Sequence, residues 1–182
     1  YSKIYFLNEN YKPDSLAIIN SQFVQGDKVA LFHAKALPFL MRMLSSASSS
    51  GAAIKVASAY REFSEQAALK SDYKMQYGTG ANAFSADQGY SEHQLGTALD
   101  LASAKESLDV FAKSKAFLWM LDHAYEYGFI LSYPKGNKYY VYEPWHWRFV
   151  GTALAAKLHN EKKNFYDLEQ RQIDGYLINI FD

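Results

Sequence analysis

Two segments constrain most strongly how this chain of 182 residues can fold. Ser91-Glu92-His93-Gln94-Leu95-Gly96-Thr97-Ala98-Leu99-Asp100 carries a histidine and an aspartate. Glu143-Pro144-Trp145-His146-Trp147-Arg148 carries a second histidine and a glutamate. A fold that brings the two together gathers His93, Asp100 and His146, a complete protein ligand set for a catalytic zinc ion, which keeps its fourth position for water or substrate. Glu143 is left over as a base, so the combination points to metal-assisted hydrolysis. The chain has no cysteine. Disulfides, thiolate metal sites and a cysteine nucleophile are therefore excluded, and a zinc site must use histidine and carboxylate.

Local geometry makes the convergence feasible. On a strand, Ala98 and Asp100 share one face while Leu99 and Leu101 take the other. Gly96 lets the backbone turn back between His93 and Asp100. Pro144 lacks an N–H and cannot sit in a central ladder, so the chain must turn or end a strand near Glu143. Across that turn Glu143 and His146 can face one cavity, with Trp145 and Trp147 as rigid walls. Two neutral imidazoles and one carboxylate leave the ion with net positive charge, which draws the pKa of a bound water towards roughly 7. Glu143 then takes a proton and returns it to the leaving amine. A cation is still needed for an oxyanion or a substrate carboxylate, and Arg61, following the strand candidate at 54–60, is the best placed.

Periodicity gives the remaining framework. Residues 1–28 read as an N-terminal arm wrapping the domain. Apolar spacing predicts a helix over 29–45, kinked or restarted at Pro38. A strand over 54–60 precedes a helix over 62–77 that Gly78 ends. Residues 78–90 form a long loop. A short strand is expected at 97–101 and a helix over 114–127, ending before Gly128. Residues 129–133 and 139–142 read as a strand pair joined by the turn Pro134-Lys135-Gly136-Asn137. The chain from Thr152 is helical in flavour. The order of elements predicts one α+β domain with a small, mostly antiparallel sheet flanked by helices, and a zinc in a central cleft.

Nineteen basic and nineteen acidic side chains cancel, leaving no electrostatic footprint for nucleic acid or an anionic membrane. No apolar run reaches transmembrane length, and no signal peptide is visible. The chain starts at Tyr1 without methionine, which reads as a mature or trimmed form, so any upstream targeting segment would not be seen in it. Taken singly, each chosen residue has an ordinary reading: Ser91 as an N-cap, Gln66 as a solvated helix residue, Arg61 as a surface ion-pair partner, the tryptophans as core. His33, His123 and His159 keep such readings, His33 and His123 within helix candidates and His159 on a charged face. The joint pattern outweighs them.

That joint pattern resembles the VanY-type D-alanyl-D-alanine carboxypeptidases and their L,D-carboxypeptidase relatives, zinc peptidases that trim bacterial peptidoglycan stems. Ala57-Ser58-Ala59-Tyr60-Arg61 with Gln66 looks like the family's S-x-Y-R block. Residues Ser91 to Asp100 match S-x-H-x-x-G-x-A-x-D. Glu143 to Trp147 with Gly151 match E-P-W-H-W, and about residues 50–152 are covered in order. The resemblance implies one zinc on His93, Asp100 and His146, with Glu143 as general base. It implies Arg61 near the reacting carbonyl or terminal carboxylate, and Gln66, Ser91 and Trp145 lining the substrate pocket. The implied partner is a peptidoglycan stem peptide, and the implied location the bacterial cell envelope outside the cytoplasm. The implied reaction removes a C-terminal D-alanine, with the L,D reaction on the tetrapeptide slightly favoured over the D,D reaction on the pentapeptide. A cross-link endopeptidase and a catalytically silent peptidoglycan-binding module are the alternatives, the last disfavoured by the presence of Glu143, Arg61 and all three ligands. Ser132 stands where relatives often carry Arg, and the loop at 135–140 is shorter than in many members. The segment at 153–182, a helical extension, has no evident family counterpart.

Overall fold

The structure, a computed structural model, describes residues 4–103, 108–137 and 140–177. Among these, four strands form an antiparallel sheet in the order β3-β4-β6-β5: β3 is Ile54–Ser58, β4 Ala98–Ser103, β5 Phe129–Leu131 and β6 His146–Phe149. A two-stranded antiparallel pair, β1 (Leu16–Ile18) with β2 (Leu31–His33), lies apart from it. The helices are α1 (Leu37–Ser49), α2 (Phe63–Tyr77), α3 (Lys115–His123), α4 (Thr152–Glu161) and α5 (Gln170–Leu177). The architecture is α+β with antiparallel sheets flanked by helices.

Strand alternation decides what each face of the sheet does. Register pairs Leu99 with Trp147 and Leu131 with Trp147, and Phe129 with Phe149. These side chains share one face and join the main buried cluster with Leu40, Met43 and Leu44 of α1, Met120 of α3 and Leu154 and Leu158 of α4. On the opposite face Asp100 pairs with His146, and Ala98 and Ile130 with Arg148. Period-two geometry thus sends apolar side chains to the core and ionisable ones to the other side.

Local chemistry sets most boundaries. α2 opens on a capping box between Glu62 and Glu65 and stops at Gly78. Ser114 caps α3 through a hydrogen bond from Phe117 N. The expected helix over 29–45 is instead a strand followed by a helix. Pro38 has no N–H and fits only the first turn, so α1 begins beside it. The residues before it pair as β2, where Leu31 O accepts from Tyr60 N at 2.9 Å and His33 N donates to Gly96 O at 2.8 Å. His33 is therefore a strand residue. The partner of β5 also differs from expectation. The turn at Pro134 forms, with Asn137 N donating to Pro134 O at 3.3 Å, but the returning residues 140–142 are not a strand, and Tyr139 lies outside the described residues. β6, a strand missed in the sequence, fills the place beside β5 instead.

The N-terminal arm lies along the loop that carries the first histidine. Leu7 N donates to Gly89 O at 2.7 Å, and Gln94 Nε2 donates to Asn8 O at 2.9 Å. Gly96 sits under the same arm, at φ +70°. A Cβ there would lie 3.0 Å from Pro13 Cγ and 3.1 Å from Leu16 Cδ2. Gly96→Ala is expected to destabilise the fold by about 1–3 kcal/mol, from left-handed backbone strain plus this crowding. Thermal unfolding would show a clear drop in Tm; an unchanged Tm would contradict the conformation described.

Candidate active site

β4 and β6 place Asp100 and His146 side by side. His93 arrives from a 3-10 turn, Glu92–Leu95, whose N-cap is Ser91, with Ser91 Oγ accepting from His93 N at 3.4 Å. Gly96, left-handed, then redirects the chain into β4. His93 Nε2 lies 3.2 Å from Asp100 Oδ2, and His146 Nδ1 lies 3.1 Å from Asp100 Oδ1. One ligand atom from each of the three residues lies within 4.8 Å of the others, so a single ion can be reached by all three.

The far nitrogen of each ring is already engaged. His93 Nδ1 is 2.6 Å from Ala59 O. A carbonyl only accepts, so Nδ1 carries the proton and Nε2 presents its lone pair. His146 Nε2 is 2.8 Å from Oε2 of Glu92, a carboxylate with no exposed side-chain surface. That partner fixes the proton on Nε2 and turns Nδ1 toward the cluster. Outer hydrogen bonds of this kind orient histidine ligands and set their tautomer.

The electrostatics follow from burial and pairing. Burial alone would push Glu92 up, but the Arg148 guanidinium, His146 and the Tyr166 hydroxyl hold its carboxyl well below the usual range. Burial likewise opposes ionisation of Asp100, and His93 and His146 outweigh it, so Asp100 stays a carboxylate. Burial disfavours a charged His146, but hydrogen bonds to Asp100 and Glu92 raise it to about 10. His93 is pushed down, chiefly by burial, toward the neutral form. In Glu143 burial dominates and raises the carboxyl to about 7.

The other residues singled out in the sequence gather around this cluster in different ways. Arg61 Nη2 lies 3.7 Å from Asp100 Oδ2 and donates to Ser58 Oγ at 2.9 Å. Its Nη1 donates to Gln66 Oε1 at 2.6 Å. Gln66 is itself buried, and its Nε2 donates to Ala86 O at 2.7 Å, so it braces Arg61 against the 78–90 loop. Glu143 closes the Pro144-Trp145 turn through its backbone, accepting from His146 N at 3.1 Å and donating to Tyr133 O at 3.1 Å. Trp145 is partly buried against the core and accepts from Leu101 N at 2.9 Å through its carbonyl. Trp147 is 2% exposed, lies on the core face and donates Nε1 to Pro144 O at 2.9 Å. It is core, not a wall of the cavity. The aromatic surface beside the cluster is Tyr133, stacked on His146 at 4.7 Å and 12°. Ser132 is buried, and its Oγ has no hydrogen-bond partner among the described residues. His159 stacks on Tyr125 and His123 lies tilted against Trp119, apart from the cluster.

Glu92, Arg148, Tyr133 and Tyr166 were not singled out in the sequence. Only Glu92 and Arg148 left a signal, as charged residues inside blocks otherwise dense in apolar and aromatic ones.

Residues 30–152 match the model of a family described as VanY: D-alanyl-D-alanine carboxypeptidase. The chain belongs to this family. YodJ of Bacillus subtilis (strain 168), described as a putative carboxypeptidase, is 32% identical over 163 residues, which cover 85% of this chain and 60% of that protein. The chain thus spans less than two thirds of that relative. The LdcB LD-carboxypeptidase structure superposes with a TM-score of 0.80 at 29% identity, covering 98% of this chain and 84% of that one. The fold is shared with a mutant of the vancomycin-resistance D,D-pentapeptidase VanY in complex with Zn(II), at a TM-score of 0.69 and 24% identity, covering 97% of this chain and 98% of that one.

The raised pKa of His146 has a measurable consequence. Without a metal, the imidazole is protonated at neutral pH and lies between two carboxylates. A metal taken up through Nδ1 must displace that proton. Because the proton is held up to about 10, affinity should rise with pH across the neutral range. Calorimetric titration in buffers of different ionisation enthalpy should detect proton release; pH-independent affinity with no release would contradict the assignment.

Proposed function

We propose that the chain is a zinc-dependent carboxypeptidase that removes a C-terminal D-alanine from peptidoglycan stem peptides outside the cytoplasm, with the L,D reaction on the tetrapeptide favoured. The observation that carries the reading is the convergence of His93, Asp100 and His146 beside Glu143 and Arg61. The three donors suit zinc: two neutral nitrogens and one carboxylate, with outer hydrogen bonds already in place. A Zn(II) complex of a structural relative supports the choice of ion, and similarity to LdcB supports the L,D preference.

Zinc bound to these residues would polarise the scissile carbonyl and make water a competent nucleophile near neutral pH. The chain's own groups do the rest. Glu143 takes the proton of the attacking water on its carboxylate and passes it to the departing amine. Its elevated pKa, about 7, suits a group that must both accept and return a proton. Arg61, held by Ser58 and Gln66, keeps its fork in a fixed orientation for the substrate's terminal carboxylate or the developing oxyanion. Tyr133 covers one side of His146 and limits water there. No helix among the described residues is long and apolar enough to cross a membrane.

Mass spectrometry of zinc-loaded protein incubated with tetrapeptide and pentapeptide muropeptides, each with a chelator control, tests the reading. Chelator-sensitive loss of one alanine from the tetrapeptide alone is expected. Loss only from the pentapeptide would establish the D,D reaction instead, and no loss from either would refute carboxypeptidase activity. Glu143→Ala should keep its zinc and lose turnover by roughly 10²–10⁴-fold, the range for a general acid–base group. Undiminished turnover would remove Glu143 as the base.

Glu143 also couples stability to pH. Its folded value, about 7, exceeds the ordinary 4.5. The folded state therefore holds this proton more tightly, and the metal-free protein loses stability as pH rises from the lower value through the higher one. Glu143→Gln abolishes that loss, so the metal-free variant should gain Tm over wild type progressively between those limits. An equal Tm difference at both would contradict the burial assigned to this carboxyl.

A further inference from the structure

Behind the metal-ligand cluster lies a buried network that the proposed reaction does not itself use. Glu92 Oε2 meets His146 Nε2 at 2.8 Å. Its Oε1 accepts from Arg148 Nη1 at 2.8 Å and from the Tyr166 hydroxyl at 2.7 Å. Glu92 and Arg148 have no exposed side-chain surface. The ring of Phe165 lies 4.8 Å from the Arg148 guanidinium carbon. Tyr166 and Phe165 belong to a 3-10 turn, Phe165–Asp167, beyond the residues 30–152 that match the family model.

We propose that Tyr166, contributed by the C-terminal segment, is a positioning residue that completes the metal site by fixing Glu92 behind His146. The inference rests on the metal-site reading above. A buried carboxylate needs donors for both oxygens. Arg148 and Tyr166 hold Oε1, which orients the carboxylate plane and leaves Oε2 for His146. Glu92 in turn holds the proton on Nε2 and keeps Nδ1 aimed at the cluster. Arg148 is positioned from both sides: β6 register sets its backbone two residues from His146, and Phe165 covers its guanidinium. The C-terminal segment is thereby part of the site's scaffold. Losing the Tyr166 hydroxyl would remove one of the two donors that hold Oε1, and so loosen the carboxylate that orients the imidazole.

Three variants and two readouts test this. Tyr166→Phe removes only the hydroxyl and keeps the ring. Glu92→Gln sets an N–H₂ group among donors. Ile173→Val trims a buried methyl group from α5 of the same segment and serves as the control for general loosening. Zinc affinity is measured by chelator competition, and the protonated nitrogen of His146 by long-range ¹H–¹⁵N NMR correlations. The expected result is wild-type zinc binding at one ion per chain with the proton on Nε2. Glu92→Gln should weaken zinc about 10–100-fold and Tyr166→Phe by a smaller factor, as for outer hydrogen-bond partners of ligands, while Ile173→Val leaves affinity unchanged. Wild-type affinity in Tyr166→Phe with unaltered His146 signals would overturn the positioning role even if Glu92→Gln fails to fold. Equal weakening by Ile173→Val would reduce Tyr166 to a structural residue and also overturn it. Failure of the wild-type protein to bind zinc would sink the metal-site reading and this inference with it.

Discussion

The site exists because β4 and β6 pair in one particular register. That pairing sets Asp100 opposite His146 and Leu99 opposite Trp147. Strand side chains alternate, so a slip by one residue would send His146 and Arg148 into the apolar core and Trp147 into the polar face. Such a slip would bury charge without partners and expose a large indole, both costly. The core therefore enforces the register that builds the site. Phe129, Phe149 and Trp147 lock one face, and the ionisable residues are gathered on the other, where they pair with one another.

Their partnership sets the chemistry. Glu92, Asp100, His93, His146, Arg61 and Arg148 lie close together in a region of little solvent. Buried ion pairs add little net stability compared with apolar packing, but removing one partner is expensive. The cluster is better understood as orientation than as stabilisation. Two carboxylates are kept ionised, one histidine is kept neutral, and the other is oriented with Nε2 on Glu92 and Nδ1 toward the cluster. Glu143 is the exception: burial outweighs its neighbours and keeps its proton within reach of neutral pH. Two classes of carboxylate, one always charged and one poised, are what a metal site with a general base needs.

Much of this was legible in the sequence, and the parts that were not have physical reasons. His93, Asp100, His146 and Glu143 stood out because histidine and acid are rare within blocks so rich in apolar and small residues. The end of α2 was legible because Gly78 and the helix-favouring run before it are local signals. β6 was not, because its His-Trp-Arg-Phe alternation spans only four residues, all of them buried, directly after Pro144, which reads as the end of a strand. β2 was hidden because its apolar residues run into those of α1, and what separates the two is tertiary: pairing with β1 and bonds to Gly96 and Tyr60. Ser91 was legible as an N-cap and caps the turn that carries His93. Gln66, whose ordinary reading is a solvated helix residue, is instead buried and braces Arg61, because a further partner, Ala86 O, comes from the distant 78–90 loop. Tyr166 left no trace at all, since its role depends on a contact with Glu92, 74 residues away.

The most direct test of the account is anomalous diffraction at the zinc edge from crystals of the zinc-loaded protein. One ion is predicted, bound by His93 Nε2, an Asp100 oxygen and His146 Nδ1 at about 2.0–2.2 Å, with Glu92 still bonded to His146 Nε2. An ion bound elsewhere, or held by His146 through Nε2 with Glu92 displaced, would contradict it.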